Sequence, residues 1–184
     1  ADYIAEELAK QPYFKVHPEQ TGKYLLPEDS LGRSVPWGLV KENGRSRKTI
    51  ILTGHYDVVD TEEYGNERAL AYDVEKWENL VKSGNVLPGM PDEVKEDFLS
   101  GDWMFGRGTA DMKGGLSVGL ALLDWYGKLV VEAEGKASSV AVSEAEVASE
   151  LGDASGISGN LLFVTVPDEE GYSAGIRGAV PFLN

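Results

Sequence analysis

The sequence predicts an α/β fold in which a mixed, mostly parallel sheet lies between helices as a three-layer sandwich. Apolar, β-rich runs bounded by polar or glycine-containing segments predict strands at 35–41, 49–56 and 160–166. The apolar segment LSVGLALLDWY lies between the second and third runs and predicts a helix over 113–126. A helical crossover is typical of a right-handed β-α-β connection, so the last two strands are expected to be parallel and adjacent or nearly so.

The beginning of the chain predicts a short amphipathic helix over 2–10. Ile4 and Leu8 repeat at helical spacing, and Pro12 is expected to close the segment. The expected role of this helix is to pack against the sheet.

The first two predicted strands are expected to be antiparallel neighbours joined by a loop at Asn43–Gly44. The run from Ile50 to Leu52 is continuously apolar, which favours a central strand that is buried on both faces. That strand would deliver His55 and Asp57 at its C-terminal end.

Two segments between the predicted strands are poor in core-forming residues. Residues 60–102 are polar and interrupted by glycine and proline, which predicts a long surface excursion with helical patches at 73–82 and 91–99. Residues 130–158 consist largely of small residues, valine and glutamate, which favours a mobile acidic insertion. After the last strand, YSAGIRGAV predicts the start of a further helix.

Composition excludes several classes of partner. The 17 basic and 31 acidic side chains give a net charge of −14, which repels nucleic acid and anionic membranes alike. No stretch approaches the ~20 apolar residues of a membrane span, and the start of the sequence does not resemble an export signal. There is no cysteine, so any zinc must be held by histidine and carboxylate, and a cytoplasmic location is expected.

Three short motifs place ionisable residues where a buried strand ends or a core helix begins. In HYD, Asp57 can orient the His55 imidazole or share its site, because alternate strand residues point to the same side. Asp111 lies among glycines in GRGTADMKGG, and Glu169 and Glu170 follow a strand in PDEE. Alone, each motif has an ordinary explanation as a structural pair, a helix cap or solvated glutamates. Together they predict one crevice that suits zinc or manganese.

The motif series GHYDVV, GRGTADMKGG and VPDEEGYSAG resembles that of the co-catalytic zinc peptidases and deacylases. This family includes carboxypeptidase G, aminoacylase, acetylornithine deacetylase and succinyl-diaminopimelate desuccinylase. The segments YGNERALAYDVEKW and VPDEEGYSAGIRGAVP resemble most the arginine-utilisation protein branch. The resemblance covers nearly the whole chain and implies a zinc-peptidase-like fold, with residues 1–184 as the N-terminal part of the catalytic domain.

The resemblance also implies a role for each residue of the predicted site. His55 would bind one metal ion, Glu170 would bind another, and Asp111 would bridge the two. Asp57 would support His55, and Glu169 would act as the general base. The implied cofactor is a pair of zinc ions, with cobalt or manganese as alternatives.

The implied reaction is metal-dependent hydrolysis of an amide bond in an acylated amino acid or a small peptide. The substrate is the expected small-molecule partner, and a homo-oligomer is left open. The alternative interpretation is a non-catalytic binding or structural fragment that retains the fold. A calcium or magnesium site is a weaker alternative, because hard cations prefer shells of oxygen alone and His55 offers nitrogen.

The family pattern continues past the point where this sequence ends. Family members have a further carboxylate ligand, a lid or dimerisation domain and a second ligand histidine, none of which is found before Asn184. The second histidine of this sequence, His17, precedes the first strand and is expected in a surface loop. The chain is therefore interpreted as truncated and is expected to hydrolyse acylated amino acids negligibly. By the same resemblance, the Asp111–Met112 peptide bond is expected to be cis.

Overall fold

Two compact units make up the computed structural model, which describes residues 1–42, 48–84, 89–139 and 159–183. The first unit comprises Ala1–Asp57 and Gly115–Asn184, and the second comprises Val58–Gly114. The described part of the second unit is helical, whereas the first unit contains a sheet with helices.

The bounds of the elements follow the chain order. The strands are β1 (Thr21–Leu25), β2 (Ser34–Val40), β3 (Thr49–His55) and β4 (Asn160–Val166). The helices are α1 (Asp2–Lys10), α2 (Pro12–Val16), α3 (Val74–Ser83), α4 (Asp92–Ser100), α5 (Gly115–Ser139) and α6 (Ala174–Leu183). Short helical turns lie at Pro18–Gln20, Glu62–Leu70 and Thr109–Gly114.

The four-stranded sheet of the first unit is mixed and has the order β1-β2-β4-β3. Strand β3 is parallel to β4, with His55 opposite Val166, while β2 is antiparallel to both β1 and β4. The α/β class, the mixed sheet and the adjacent parallel pair are therefore confirmed. The described sheet is not mostly parallel as expected, because two of its three pairings are antiparallel. The prediction that β2 and β3 are adjacent in the sheet is wrong, because β4 lies between them. A short connecting loop suggested a hairpin, and the sequence pattern does not show that a strand from much later in the chain takes that place.

Strand β3 lies at the edge of the described sheet, so the prediction of a central strand buried on both faces is wrong. Ile50 and Ile51 are 48% and 49% exposed, and one points to each side of the strand. The strand is buried only at its end, where His55 lies. The central position belongs to β4, whose residues from Phe163 to Val166 are buried. A continuous apolar run does not by itself distinguish an edge strand from a central one.

The side chains of β4 alternate between two apolar clusters, which gives the first unit its three layers. Leu161 and Phe163 pack with residues of α1, α2 and α5. Val164 and Val166 belong to a second cluster with Ala179 of α6. Helices therefore lie against both faces of the sheet, and the predicted three-layer arrangement is confirmed within this unit.

Most of the predicted helices occur where the sequence placed them. Helix α1 coincides with the predicted 2–10, and α3, α4 and α6 match 73–82, 91–99 and YSAGIRGAV. Pro12 was expected only to close α1, but it also begins α2. Proline suits the first turn of a helix, because the N–H that it lacks would have no partner there. Helix α2 and strand β1 were not predicted, since each is too short to show a clear period.

Helix α5 is longer than the predicted 113–126. It continues to Ser139, and Val130 and Ala133 are buried in the cluster beneath the sheet. The first part of the predicted acidic insertion is therefore helix with core contacts, and this part of the prediction is wrong. Residues 140–158 lie outside the described residues. No helix in the described ranges, α5 included, is long and apolar enough to cross a membrane.

The second unit has an apolar cluster of its own. Leu70, Trp77 and Phe98 are buried in it, and the rings of Trp77 and Phe98 meet edge to face at 6.2 Å between centroids. Phe105 is partly buried against the same cluster. The polar composition of residues 60–102 concealed this core, because a few widely spaced aromatic residues produce no regular period.

Tyr126 makes the stability of the folded chain depend on pH in the alkaline range. Its side chain is fully buried, and its hydroxyl donates a hydrogen bond to the Gly159 carbonyl oxygen at 2.6 Å. Burial, assisted by the negative charge of Glu42, raises the pKa of Tyr126 to about 12. The folded-state pKa therefore exceeds the ordinary value of about 10, so stability that is present below pH ~10 is lost as the pH rises towards ~12.

We expect the free energy of unfolding of the wild-type chain to fall by roughly 1–2 kcal/mol more than that of Tyr126→Phe over this pH range. Denaturant unfolding at a series of pH values measures the difference. Other tyrosines ionise in both proteins and cancel in the comparison. Parallel pH profiles for the two proteins would contradict the expectation.

Candidate metal centre

The C-terminal ends of β3 and β4 lie side by side, and the predicted site residues of the first unit gather there. His55 ends β3 and is in register with Val166 at the end of β4. The pairing extends one residue further, because the Tyr56 N–H donates to the Val166 carbonyl oxygen at 3.0 Å. The PDEE segment at 167–170 follows immediately. Parallel pairing in this register therefore brings the HYD and PDEE motifs together.

His55, Glu169 and Glu170 form a cluster of side chains that can bind a metal ion. One ligand atom from each lies within 4.8 Å of the others. The Nε2 atom of His55 is 3.9 Å from Oε2 of Glu169. The imidazole is 5% exposed, whereas the Glu169 side chain is 54% exposed. The cluster thus extends from a buried nitrogen ligand to an exposed carboxylate that an ion in solution can reach.

Asp57 connects the two motifs. The Nδ1 atom of His55 lies 3.1 Å from the Asp57 backbone oxygen and 3.6 Å from its Oδ1. The other carboxylate oxygen, Oδ2, accepts a hydrogen bond from the Glu170 N–H at 3.1 Å. With Nδ1 facing Asp57, Nε2 is the ring nitrogen that faces Glu169. A histidine oriented through one nitrogen by a carboxylate or carbonyl oxygen is the usual arrangement of a metal ligand.

The donor set of this cluster fits zinc. An imidazole and carboxylates are ligands that zinc binds at about 2 Å, which places the ligand atoms of one ion roughly 3–4 Å apart. The observed limit of 4.8 Å is slightly wider, so a glutamate must turn inward to close the shell. Asp57 Oδ1 is buried and makes no hydrogen bond within the described residues, although it lies beside the His55 ring. Such a carboxylate would stabilise an imidazole that carries positive charge or binds a cation.

Asp168 shapes the loop that carries the two glutamates, and its role was not predicted from the sequence. Its φ is +65°, its backbone oxygen accepts the Ser173 N–H at 2.6 Å, and Oδ2 accepts the Ala174 N–H at 3.0 Å. The hydrogen bond from Ala174 and the guanidinium of Arg33 hold the pKa of Asp168 below its usual value. An aspartate shortly before a predicted helix was the available signal, because such residues often cap helices.

Asp111 lies in the second unit, in the π-helical turn that precedes α5. The Asp111–Met112 peptide bond is cis, as the resemblance implied. Gly108 has a φ of +80°, and a Cβ there would lie 2.6 Å from Cγ1 of Val58, so this position requires glycine. The role of Asp111 as a bridge between two ions stays a prediction.

His17 lies outside the cluster that contains His55. It follows α2, and its Nε2 is 3.0 Å from Oε2 of Glu134 on α5. Its ring also contacts that of Tyr13, at 4.6 Å between centroids. His17 thus lies in the connection after α2, as a loop residue was expected to, but its side chain is partly buried by its contacts with Tyr13 and Glu134.

Two curated bacterial proteins are similar in sequence to this chain. No family model matches it, and no solved structure matches it. Over all 184 residues the chain is 36% identical to "Uncharacterized protein YqjN" and 30% identical to "Protein RocB", both from Bacillus subtilis (strain 168). The chain spans 28% of the length of each of these curated relatives. It is therefore a homologue of YqjN and RocB over a limited part of their length.

Proposed function

We propose that this chain carries a zinc-binding part of a hydrolase that cleaves an amide bond in an acylated amino acid or small peptide. The observation that supports it most directly is the cluster of His55, Glu169 and Glu170, whose ligand atoms lie within 4.8 Å of one another. The similarity to RocB supports the arginine-utilisation branch that the motifs resemble. Because the chain spans 28% of each relative, the activity is proposed for a protein of their kind. The lack of cysteine agrees with a cytoplasmic setting.

In this proposal His55 and Glu170 hold the metal. His55 would bind through Nε2, since Nδ1 faces Asp57. Glu170 would bind through its carboxylate, while its backbone N–H continues to donate a hydrogen bond to Oδ2 of Asp57. Zinc supplies Lewis-acid chemistry when bound, because it polarises an amide carbonyl and makes water a better nucleophile. Cobalt or manganese could replace it at a site of this composition.

Glu169 has the position and exposure of a general base. Its carboxylate lies beside the His55 ring but remains 54% exposed, so both water and substrate can reach it. It would take a proton from the water whose oxygen attacks the amide carbon, and it would give that proton to the amine when the C–N bond breaks. Asp57 would keep the imidazole and the Glu170 backbone in place while this occurs.

Zinc content and turnover, measured together, test the proposal. We expect the purified chain to bind zinc in equilibrium dialysis and Glu170→Gln to weaken that binding by about tenfold or more, since a proposed ligand is lost. Glu169→Gln should retain its zinc, because a general base is not required to bind the metal. Hydrolysis of N-acylated amino acids by this chain is expected to be negligible with zinc, cobalt or manganese, since His55 and Glu170 would give an ion two protein ligands, fewer than the three that catalytic zinc sites usually have.

The outcomes separate the parts of the proposal. Zinc binding that neither substitution changes would contradict the metal centre. Robust, metal-dependent turnover that is abolished in Glu169→Gln would support the hydrolase and show that the expected inactivity is wrong. Turnover that survives Glu169→Gln would contradict the general-base role.

A further inference from the structure

Arg33 joins the β1–β2 connection to the loop that carries the two glutamates. It precedes β2 directly, and its Nη1 is 2.9 Å from Oδ1 of Asp168. The same guanidinium donates to Asp29, with Nη2 at 2.7 Å and Nε at 3.1 Å from Oδ1. One side chain therefore spans two carboxylates from loops that are far apart in the sequence.

The position of Arg33 is fixed by its main chain as well as by its side chain. Its backbone N–H donates to Oδ2 of Asp29 at 2.6 Å, and its carbonyl oxygen accepts the Leu26 N–H at 3.1 Å. The Gly32 N–H donates to the Asp29 carbonyl oxygen at 3.0 Å and closes the turn. A planar guanidinium held at several atoms has little freedom to move, so it can hold its second carboxylate in a defined place.

Asp168 is the residue through which Arg33 reaches the site. Its backbone oxygen and Oδ2 accept hydrogen bonds from the backbone N–H groups of Ser173 and Ala174, so residues 168–174 form a closed loop. Glu169 and Glu170 lie inside this loop, directly after Asp168. A φ of +65° is unfavourable for a residue other than glycine and persists only where its surroundings hold it. A displacement of Asp168 would therefore move both glutamates relative to His55.

The β1–β2 connection also supports the other half of the site. The hydroxyl of Tyr56 donates to the carbonyl oxygen of Ser34 at 2.9 Å. Tyr56 lies between His55 and Asp57, and Ser34 directly follows Arg33. Two adjacent residues, Arg33 at the end of the connection and Ser34 at the start of β2, thus contact the PDEE segment and the HYD segment separately.

We infer that Arg33 is a positioning residue of the metal centre, which acts through Asp168 to hold Glu169 and Glu170 at the distance from His55 that a metal ion requires. The inference rests on the proposed function for the identity of the ligand. The loop geometry that it invokes rests on contacts among this chain's own residues, so it can also be measured in the metal-free chain.

The first measurement is zinc affinity, by titration calorimetry, for the wild type and for variants of the Arg33–Asp168 pair. We expect the Kd for zinc to rise about tenfold in Arg33→Ala, as for other residues that support metal ligands. Arg33→Lys should be intermediate, because a single ammonium group cannot span both carboxylates. The double variant Arg33→Ala/Asp168→Asn should bind zinc no more weakly than its weaker single variant, because both changes remove the same link.

Arg68→Ala is the matched control. This arginine lies in the second unit and approaches Glu62 at 3.8 Å, with more than half of its side chain exposed. The zinc affinity of the Arg68→Ala variant should equal that of the wild type. All titrations are made at a temperature where circular dichroism shows each variant to be folded, so that a loss of affinity is not a loss of fold.

The second measurement is amide hydrogen exchange at Glu170 and Ala174 in the metal-free chain. We expect exchange at both amides to be about tenfold faster in Arg33→Ala and unchanged in Arg68→Ala, because the loop opens locally when its support is removed. A wild-type chain that binds no zinc would refute the proposed metal centre, and amide exchange would then decide the positioning role alone. Unchanged exchange in Arg33→Ala, or an unchanged zinc affinity where zinc binds, would overturn the inference.

Discussion

His55→Ala is expected to raise the Kd of the chain for zinc by about 100-fold or more, which is the largest change that we predict. His55 supplies the nitrogen ligand of the cluster and is its buried member, with the imidazole oriented by Asp57. The two glutamates of the cluster, Glu169 and Glu170, are more exposed and keep much of their hydration. Titration calorimetry with zinc, together with the visible absorption spectrum of bound cobalt, would measure the loss.

The second histidine of the chain provides a control of the same residue type. His17 pairs with Glu134 between two helices and does not belong to the cluster. His17→Ala should therefore leave zinc affinity unchanged within about twofold, even if it lowers stability slightly. Equal losses of zinc affinity in the two variants would indicate that zinc binds the histidines non-specifically. Wild-type affinity in His55→Ala would contradict the proposed metal centre.

Gly175→Ala is expected to lower the free energy of unfolding by about 2–3 kcal/mol, the largest effect on stability that we predict. A Cβ at this position would lie 2.0 Å from the carbonyl oxygen of Pro167 and 2.8 Å from its nitrogen. Both are backbone atoms, so no side-chain rotation relieves the overlap. Either α6 or the segment after β4 must move, and the second movement would displace Glu169 and Glu170.

Gly135→Ala is the matched control for this prediction. Gly135 lies on α5 in an exposed position, and a Cβ there would meet no atom within 4 Å. Alanine favours the helix over glycine by roughly 0.5–1 kcal/mol, so this variant should be slightly more stable than the wild type. Urea unfolding of both variants measures the changes. Equal stabilities of the two variants would contradict the close approach of α6 to Pro167.

The meeting of His55 with Glu169 and Glu170 was predictable because it depends on a simple property of strands. Two apolar runs with a helix between them predict a parallel pair, and parallel strands end at the same edge of a sheet. Residues that directly follow the two runs must then lie close together. The proximity of Asp57 to His55 was expected for a different reason, the alternation of side chains in an extended chain, although β3 itself ends at His55.

The strand order and the supporting contacts could not be predicted from these patterns. Nothing in the apolar run around Ile50 shows that β3 lies at an edge, because exposure depends on which strands come beside it. The pairing of Arg33 with Asp168 joins two loops that share no period or spacing, and charged residues in loops are usually solvated. Helix α5 was underestimated because alanine, valine and glutamate suit a helix as well as a loosely packed segment.

The edge position of β3 has a consequence for association between molecules. Within the described sheet this strand pairs with β4 on one side, and Ile50 and Ile51 are about half exposed. An edge strand with exposed apolar side chains is a template on which a strand from another molecule can add. The net charge of −14 opposes such contact by mutual repulsion between copies. Salt screens that repulsion and leaves apolar attraction intact, so ionic strength controls whether the strand that carries His55 also becomes a starting point for aggregation.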